Sequence, residues 1–309
     1  MQSIHVVFGA GGPLGQAVVE QLRRDRIPVR AVYRRSRGQA PAGVTEVVAD
    51  MNDSSQVATA CQGAEVAYHC ANAPYTDWPR QLPPMMRGLI DGLSGSDARL
   101  VYADNLYCYG HVDGPIHEGV SSRADTVKGR ARAEVADRLM DAHAGSKLRA
   151  AIARSSDFYG PGVINATLGR AVFERVLAGK KVELIGRIDQ PHSYAYVKDF
   201  AAALVAIGRS EPATGEVWHV PCDEPLSAEQ FIALAAEVAN TRSRASSMPK
   251  LLFSVLSRLV PILREYREMM YEFNEPFVID TSKYEAQFGR VVTPHRQAIA
   301  ETLDWVRGG

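Results

Sequence analysis

The stretch Ile4-His5-Val6-Val7-Phe8-Gly9-Ala10-Gly11-Gly12-Pro13-Leu14-Gly15 decides the fold. An apolar run ends at Gly9, and glycines follow at Gly12 and Gly15. A buried strand that turns through residues without Cβ atoms and enters a helix has this form. The turn brings amide N–H groups and a helix N-terminus up to a pyrophosphate. Pro13 suits the first helical turn, where its missing N–H costs nothing. Leu14, Ala17, Val18 and Leu22 then form one apolar stripe. Gly9, Gly11, Gly12, Pro13, Leu14 and Gly15 are therefore candidate dinucleotide-binding residues.

Working outward, strand-like and helical runs alternate through the first half. Strands are expected at Ile4–Phe8, Val29–Tyr33, Thr45–Val48, Val66–Cys70, Leu100–Tyr102 and Leu148–Arg154. Helices are expected near Leu14–Arg24, Ser54–Cys61, Arg80–Leu93, Thr126–His143 and Ile164–Leu177. This alternation implies an α/β fold, a doubly wound parallel sheet with ligands at the carboxyl ends of its strands. The second half is less regular and reads as a smaller C-terminal substrate-binding lobe. Its expected parts are a helix from Ser227, a long helix containing the apolar run Leu251–Leu263, and a final helix reaching Trp305. The division expected is a nucleotide domain at 1–160, joined again by 190–222, and a lobe of 161–189 and 223–309.

The 309 residues carry 35 basic and 35 acidic side chains, so no nucleic-acid footprint is expected. No apolar stretch has membrane-spanning length, and the chain opens directly into a strand, leaving no room for a signal peptide. Cys61, Cys70, Cys108 and Cys222 show no paired spacing, which fits reduced thiols in a cytoplasmic protein. The histidines lack metal-ligand spacing. The Leu251–Leu263 run reads as a core or interface helix.

The second strand ends in Tyr33-Arg34-Arg35-Ser36-Arg37, where an NAD enzyme commonly carries a carboxylate for the ribose hydroxyls. Arg34 and Arg35 offer planar donors for a 2′-phosphate, so the expected cofactor is NADP(H). Asp50, with Met51, either accepts from the adenine amino group or starts a helix. Ala71, Asn72 and Ala73, on the loop after the fourth strand, border the same cofactor.

These residues resemble the extended branch of the short-chain dehydrogenase/reductase superfamily, which contains sugar-nucleotide epimerases and dehydratases. The resemblance rests on Gly9-x-x-Gly12-x-x-Gly15, Asp50-Met51-Asn52-Asp53, Tyr109-Gly110, Phe158-Tyr159-Gly160-Pro161-Gly162 and Tyr196-Val197-Lys198-Asp199-Phe200. It implies a Rossmann-type sheet, a nicotinamide cofactor and hydride transfer. Family members place a serine or threonine after the fifth strand and a tyrosine four residues before a lysine. By the Tyr109-Gly110 landmark the first position falls on Asn105. Lys128 best matches the lysine, which puts Ala124 at the tyrosine, and no Tyr-x-x-x-Lys occurs in residues 100–150. The chain thus resembles an atypical member with a rearranged proton donor. Asn105, Tyr107 and Lys128 are the candidate catalytic residues, with Lys128 also expected at the nicotinamide ribose. Tyr75, Tyr107, Asp157, His192 and Tyr194 are candidate substrate residues, each tyrosine having packing as its alternative reading.

Three functions follow as alternatives. One is a reductase of a small, largely apolar or aromatic C=O, C=N or activated C=C substrate. The others are a non-catalytic NADP(H)-binding redox sensor and an epimerase or dehydratase with tightly held cofactor. The resemblance also points to a homodimer through the helices near 80–93 and 126–143.

Overall fold

The computed structural model describes residues 3–38 and 40–308. Seven strands form one parallel sheet: β1 (Ile4–Phe8), β2 (Val29–Tyr33), β3 (Val44–Val48), β4 (Ala64–His69), β5 (Arg99–Asn105), β6 (Arg149–Ser155) and β7 (Val217–His219). Their spatial order is β3-β2-β1-β4-β5-β6-β7. The order reverses direction at β1, so the carboxyl ends of β1 and β4 flank an open crevice. Val7 stands opposite Ala31 on one side and Tyr68 on the other.

Helices cover both faces. On one, α1 (Pro13–Arg24) and α6 (Val197–Arg209) bury Leu14, Val18, Leu22, Phe200 and Leu204. On the other, α2 (Ser54–Ala60), α3 (Trp78–Leu93) and α4 (Val127–Ala144) bury Val57, Leu89, Val135 and Leu139. Each such side chain contributes about 1.5–3 kcal/mol when removed from water. The helix starts are locally encoded. Asp53 accepts from the N–H groups of Ser55 and Gln56 at the head of α2, and Thr126 accepts from Gly129 N–H at the head of α4. Ser227 and Gln230 form a reciprocal capping box on α7 (Ala228–Ala239).

The structure departs from the sequence reading at three places. β5 runs on to Asn105, because Asp104 and Asn105 keep pairing with Arg154 and Ser155 although their polarity reads as a loop. The helix expected from Ile164, α5 (Arg170–Leu177), begins only at Arg170, after Gly169 as its N-cap. The long helix around Leu251–Leu263 is broken into Lys250–Leu259 and Pro261–Tyr266, since proline supplies no N–H to continue the ladder. That apolar run is not core: Leu251 and Leu259 are 79% and 74% exposed. The lobe instead buries Met269, Phe273, Phe277 and Ile279.

Although they lie late in the chain, strand β7 is an edge of the seven-stranded sheet and α6 packs in the same core as α1. Helices α3 and α4 pack on each other and present charged residues outward, Arg80, Arg87 and Asp91 from one and Glu134, Arg138 and Asp141 from the other. Among the described residues, no helix is long and apolar enough to cross a membrane.

Candidate active site

The glycine turn is held by close approach. Gly9 adopts φ +78°, and a Cβ there would lie 2.5 Å from the Ala71 backbone nitrogen. A Cβ on Gly15 would run into the Gly9 carbonyl, and Gly12 N–H donates to that same oxygen at 3.0 Å. Strand, turn and helix are thereby packed backbone to backbone. Gly12 is the N-cap of α1 and provides no side-chain acceptor, so the first amides of the helix receive no side-chain cap. These amides, beside the Ala71–Ala73 loop, form a cradle suited to the pyrophosphate of a dinucleotide.

Around this cradle the structure distributes the expected adenine-side residues unevenly. Arg34 and Arg35 are exposed on the turn after β2. The arginine nearest the glycines is Arg37, whose Nη2 is 2.6 Å from where a Gly11 Cβ would stand. Its backbone N–H donates to Glu46 at 3.1 Å, and its guanidinium lies 5.4 Å from the Tyr33 ring centre. Glu46 is further occupied by Ser36 Oγ at 2.5 Å, which turns the nearby carboxylate towards the backbone. Asp50 accepts from both nitrogens of Asn52, at 2.9 and 2.8 Å, and Asp53 takes the helix-start role that was one of Asp50's readings. Met51 is fixed through its carbonyl, which occupies the space where a Gly88 side chain would go.

At the end of β5, Asn105 Oδ1 accepts from Tyr107 N–H at 3.2 Å and starts the turn Tyr107–Tyr109. The first turn of α4 packs on this bend, with the Gly129 position 2.5 Å from the Tyr107 carbonyl if it carried a Cβ. Lys128 is 1% exposed. Its Nζ is ion-paired with Glu265, lies 3.4 Å from Glu268, and sits 4.5 Å from the Tyr75 ring centre. One helical turn later, Arg132 points to the crevice. Its Nη2 donates to Asn72 Oδ1 at 3.0 Å and its Nη1 to Tyr102 Oη at 2.7 Å, while the guanidinium lies 4.0 Å over Trp78. The α4 cation in contact with the Ala71–Ala73 loop is therefore Arg132. Lys128, expected at the nicotinamide ribose, lies across Tyr75 and is paired with Glu265 and Glu268.

Arg132 belongs to a buried polar chain that sequence reading missed. Asp104 lies 3.5 Å from Arg132 and accepts from Arg154 Nε at 3.0 Å. Arg154 Nη1 donates to Tyr109 Oη at 2.8 Å, and that hydroxyl meets His219 Nε2 at 2.8 Å. Burial, reinforced by the Arg154 charge, pushes His219 down to about 3.

The candidate substrate residues do come together. Tyr75 stands edge-on to Trp78 at 4.9 Å and stacks on Tyr266 at 5.4 Å. His192 stacks on Tyr194 at 4.6 Å and lies 5.1 Å from Phe277. His192 Nε2 faces Asp157 Oδ2 at 3.5 Å, and neither atom has a hydrogen-bond partner. Between these groups is Glu272, which the sequence reading did not single out. It is 1% exposed and neither carboxyl oxygen is partnered. Burial first, then the neighbouring Asp157 charge, hold its carboxyl well above the usual carboxylate range; the Tyr107 phenol alongside acts in the other direction. Burial likewise pushes the Tyr107 phenol up. The signal for Glu272 was present in the spacing Glu265, Glu268, Glu272, three and then four residues apart, but the surrounding Met, Tyr and Phe residues read as packing.

The family model described as "NAD dependent epimerase/dehydratase family" matches residues 5–220. The chain is 26% identical over 245 residues to a 2-alkyl-3-oxoalkanoate reductase of Shewanella oneidensis, covering 73% of this chain and 63% of that protein. It is 24% identical over 296 residues to 3beta-hydroxysteroid-dehydrogenase/decarboxylase isoform 2 of Arabidopsis thaliana, covering 84% of this chain and 52% of that one. The chain thus spans between half and two thirds of the length of these curated relatives. In fold it is similar to the Thermus thermophilus UDP-glucose 4-epimerase solved in complex with NAD, with TM-score 0.78, 20% identity and 99% of both chains covered.

Proposed function

This chain belongs to the NAD dependent epimerase/dehydratase family, and from that premise we propose that it is a nicotinamide-dinucleotide reductase, preferring NADP(H), of a small and largely apolar or aromatic substrate. The observation that carries this reading is the adjacency of two sites. The glycine cradle, overlaid by Arg37, packs on Ala71 of the loop that leads to Tyr75, and Tyr75, Tyr107 and Tyr194 all lie near Asp157. The reductase among the curated relatives favours the same reaction class.

The residues divide the work by position. Gly9 to Gly15 and the first amides of α1 hold the pyrophosphate. Arg34, Arg35 and Arg37 supply donors for the 2′-phosphate, a group that a free carboxylate in their place would repel. Ala71, Asn72 and Ala73 line the nicotinamide side, where Arg132 fixes Asn72. The bound nicotinamide would supply the hydride. Asn105 sets the bend that presents Tyr107, and Lys128 with Tyr75 closes the pocket against the 261–268 segment. The buried rings keep water from the reacting centre.

The deciding experiment is a fluorescence titration of the full chain with NADPH and with NADH, followed by a spectrophotometric screen of small ketones, imines and conjugated alkenes for NADPH oxidation. The expected result is tighter NADPH binding and turnover on one substrate class. Equal affinity for the two cofactors removes the 2′-phosphate assignment, and tight NADPH binding with no turnover on any class favours a redox sensor.

A further inference from the structure

The pocket holds more carboxyl groups than its own cations balance. Lys128 is matched by Glu265 and Glu268. Arg187, which lines the same small cavity as Glu272 and His192, is matched by Asp189 through bonds of 2.9 and 2.7 Å. Asp157 and Glu272 remain: among the described residues neither meets a lysine or arginine, and Asp157 faces only His192 Nε2, at 3.5 Å. His192 Nε2, in a side chain only 5% exposed, is also unpartnered. Buried polar atoms are ordinarily satisfied, so a converging set that is not marks a place where a ligand completes the bonding.

We propose that this pocket binds the charged nitrogen of an organic cation, a protonated amine or its iminium, whose N–H groups donate to Asp157 and Glu272. The aromatic surroundings suit this ligand, because ring faces attract a cation while their edges exclude water. The same surroundings disfavour an anionic substrate, such as a nucleotide sugar or a carboxylate, since Asp157 would repel it.

This assignment rests on the reductase reading and narrows it to the C=N class. An iminium carbon gains a hydride from the reduced dinucleotide, the C=N π electrons become the nitrogen lone pair, and a neutral amine results. That balance takes no proton from the protein, which accords with Ala124 standing four residues before Lys128. In this role Tyr107 and Lys128 position the substrate.

Calorimetry on the full chain tests the proposal with benzylamine, benzyl alcohol and benzoate as probes, with and without NADPH. Benzylamine is expected to bind at least tenfold more tightly than benzyl alcohol, and benzoate more weakly than either. Glu272→Gln and Asp157→Asn should each weaken benzylamine at least tenfold while leaving benzyl alcohol unchanged. Binding should also release a proton, read from the dependence of the heat on buffer, because the incoming cation ionises Glu272. Equal affinity of the unaltered chain for amine and alcohol overturns the proposal whether or not the variants fold. NADPH binding is read separately by fluorescence. If NADPH binds and amines show no preference, the cation site alone is wrong. If amines are preferred and NADPH does not bind, the reductase reading is wrong and the cation site stands.

Discussion

Arg132 Nη2 donates to Asn72 Oδ1 at 3.0 Å, tying α4 to the loop that follows β4. The same guanidinium bonds Tyr102 Oη and faces Asp104, so one side chain joins helix, strand and crevice. Replacing Arg132 by Met leaves Asp104 paired with Arg154 but removes the donor to Asn72 and Tyr102, and destabilisation of about 1–3 kcal/mol is expected. Arg132→Lys keeps the charge without the fork and should fall between. Urea unfolding of the three proteins measures the series.

Arg34 and Arg35 act on cofactor choice. Alanine at either should weaken NADPH binding by about 1–3 kcal/mol for each charged hydrogen bond lost, and leave NADH unchanged. Arg37→Ala should add to the effect, because this guanidinium lies over Gly11. Fluorescence titrations with both cofactors read the difference.

Gly15→Ala tests the packing of the cradle. The added methyl meets the Gly9 carbonyl, a backbone atom that cannot rotate away. A loss of about 1–3 kcal/mol in stability is expected from the forced shift, with NADPH affinity falling alongside. A thermal melt and a titration on the same sample report both.

Lys128 joins α4 to the 261–268 segment through Glu265 and Glu268. Lys128→Met should release the 261–268 segment at a cost of about 1–3 kcal/mol, the range for hydrogen bonds to charged groups. Faster amide hydrogen exchange in that segment, with exchange in β1 and β4 unchanged, is the expected signature.

Acid stability follows from buried histidines. Burial pushes His5 down to about 4, and His69 and His219 to about 3, in the latter two with help from Arg132 and Arg154 respectively. Unfolded histidine titrates near 6.5, so the unfolded chain binds more protons between these values. Stability is therefore full above about pH 6.5 and falls as pH drops towards 4, by up to about 1.4 kcal/mol per pH unit for each histidine. Glu272 has the opposite sign. Its folded pKa is raised, so its contribution is full below the unfolded value near 4.5 and is lost as pH rises towards the folded one. Glu272→Gln should be more stable than the unaltered protein at pH 7.5, with the gap closing near pH 4. Urea midpoints across pH 4–8 test both signs.

The sequence by itself determined the frame, because that information is local. An apolar run ending in glycine at Gly9, the absence of room for a side chain at Gly15, the caps at Asp53 and Ser227, and alternating strand and helix periods each depend on neighbours in the chain. They sufficed for the parallel sheet and the dinucleotide cradle. The candidate substrate residues Tyr75, Tyr107, Asp157, His192 and Tyr194 were proposed from their nearness to landmarks and strand ends. Tertiary structure decided what those residues meet. Lys128 and Arg132 lie one turn apart on the same helix, and only the placement of Glu265, Glu268 and Asn72 shows which cation faces the lobe and which the crevice. Glu272 lies 165 positions beyond Tyr107 in sequence, and its protonation depends on burial and on Asp157, neither of which local sequence specifies. Charge balance in a pocket is a property of groups brought together from distant segments, so it exists only once the chain has folded.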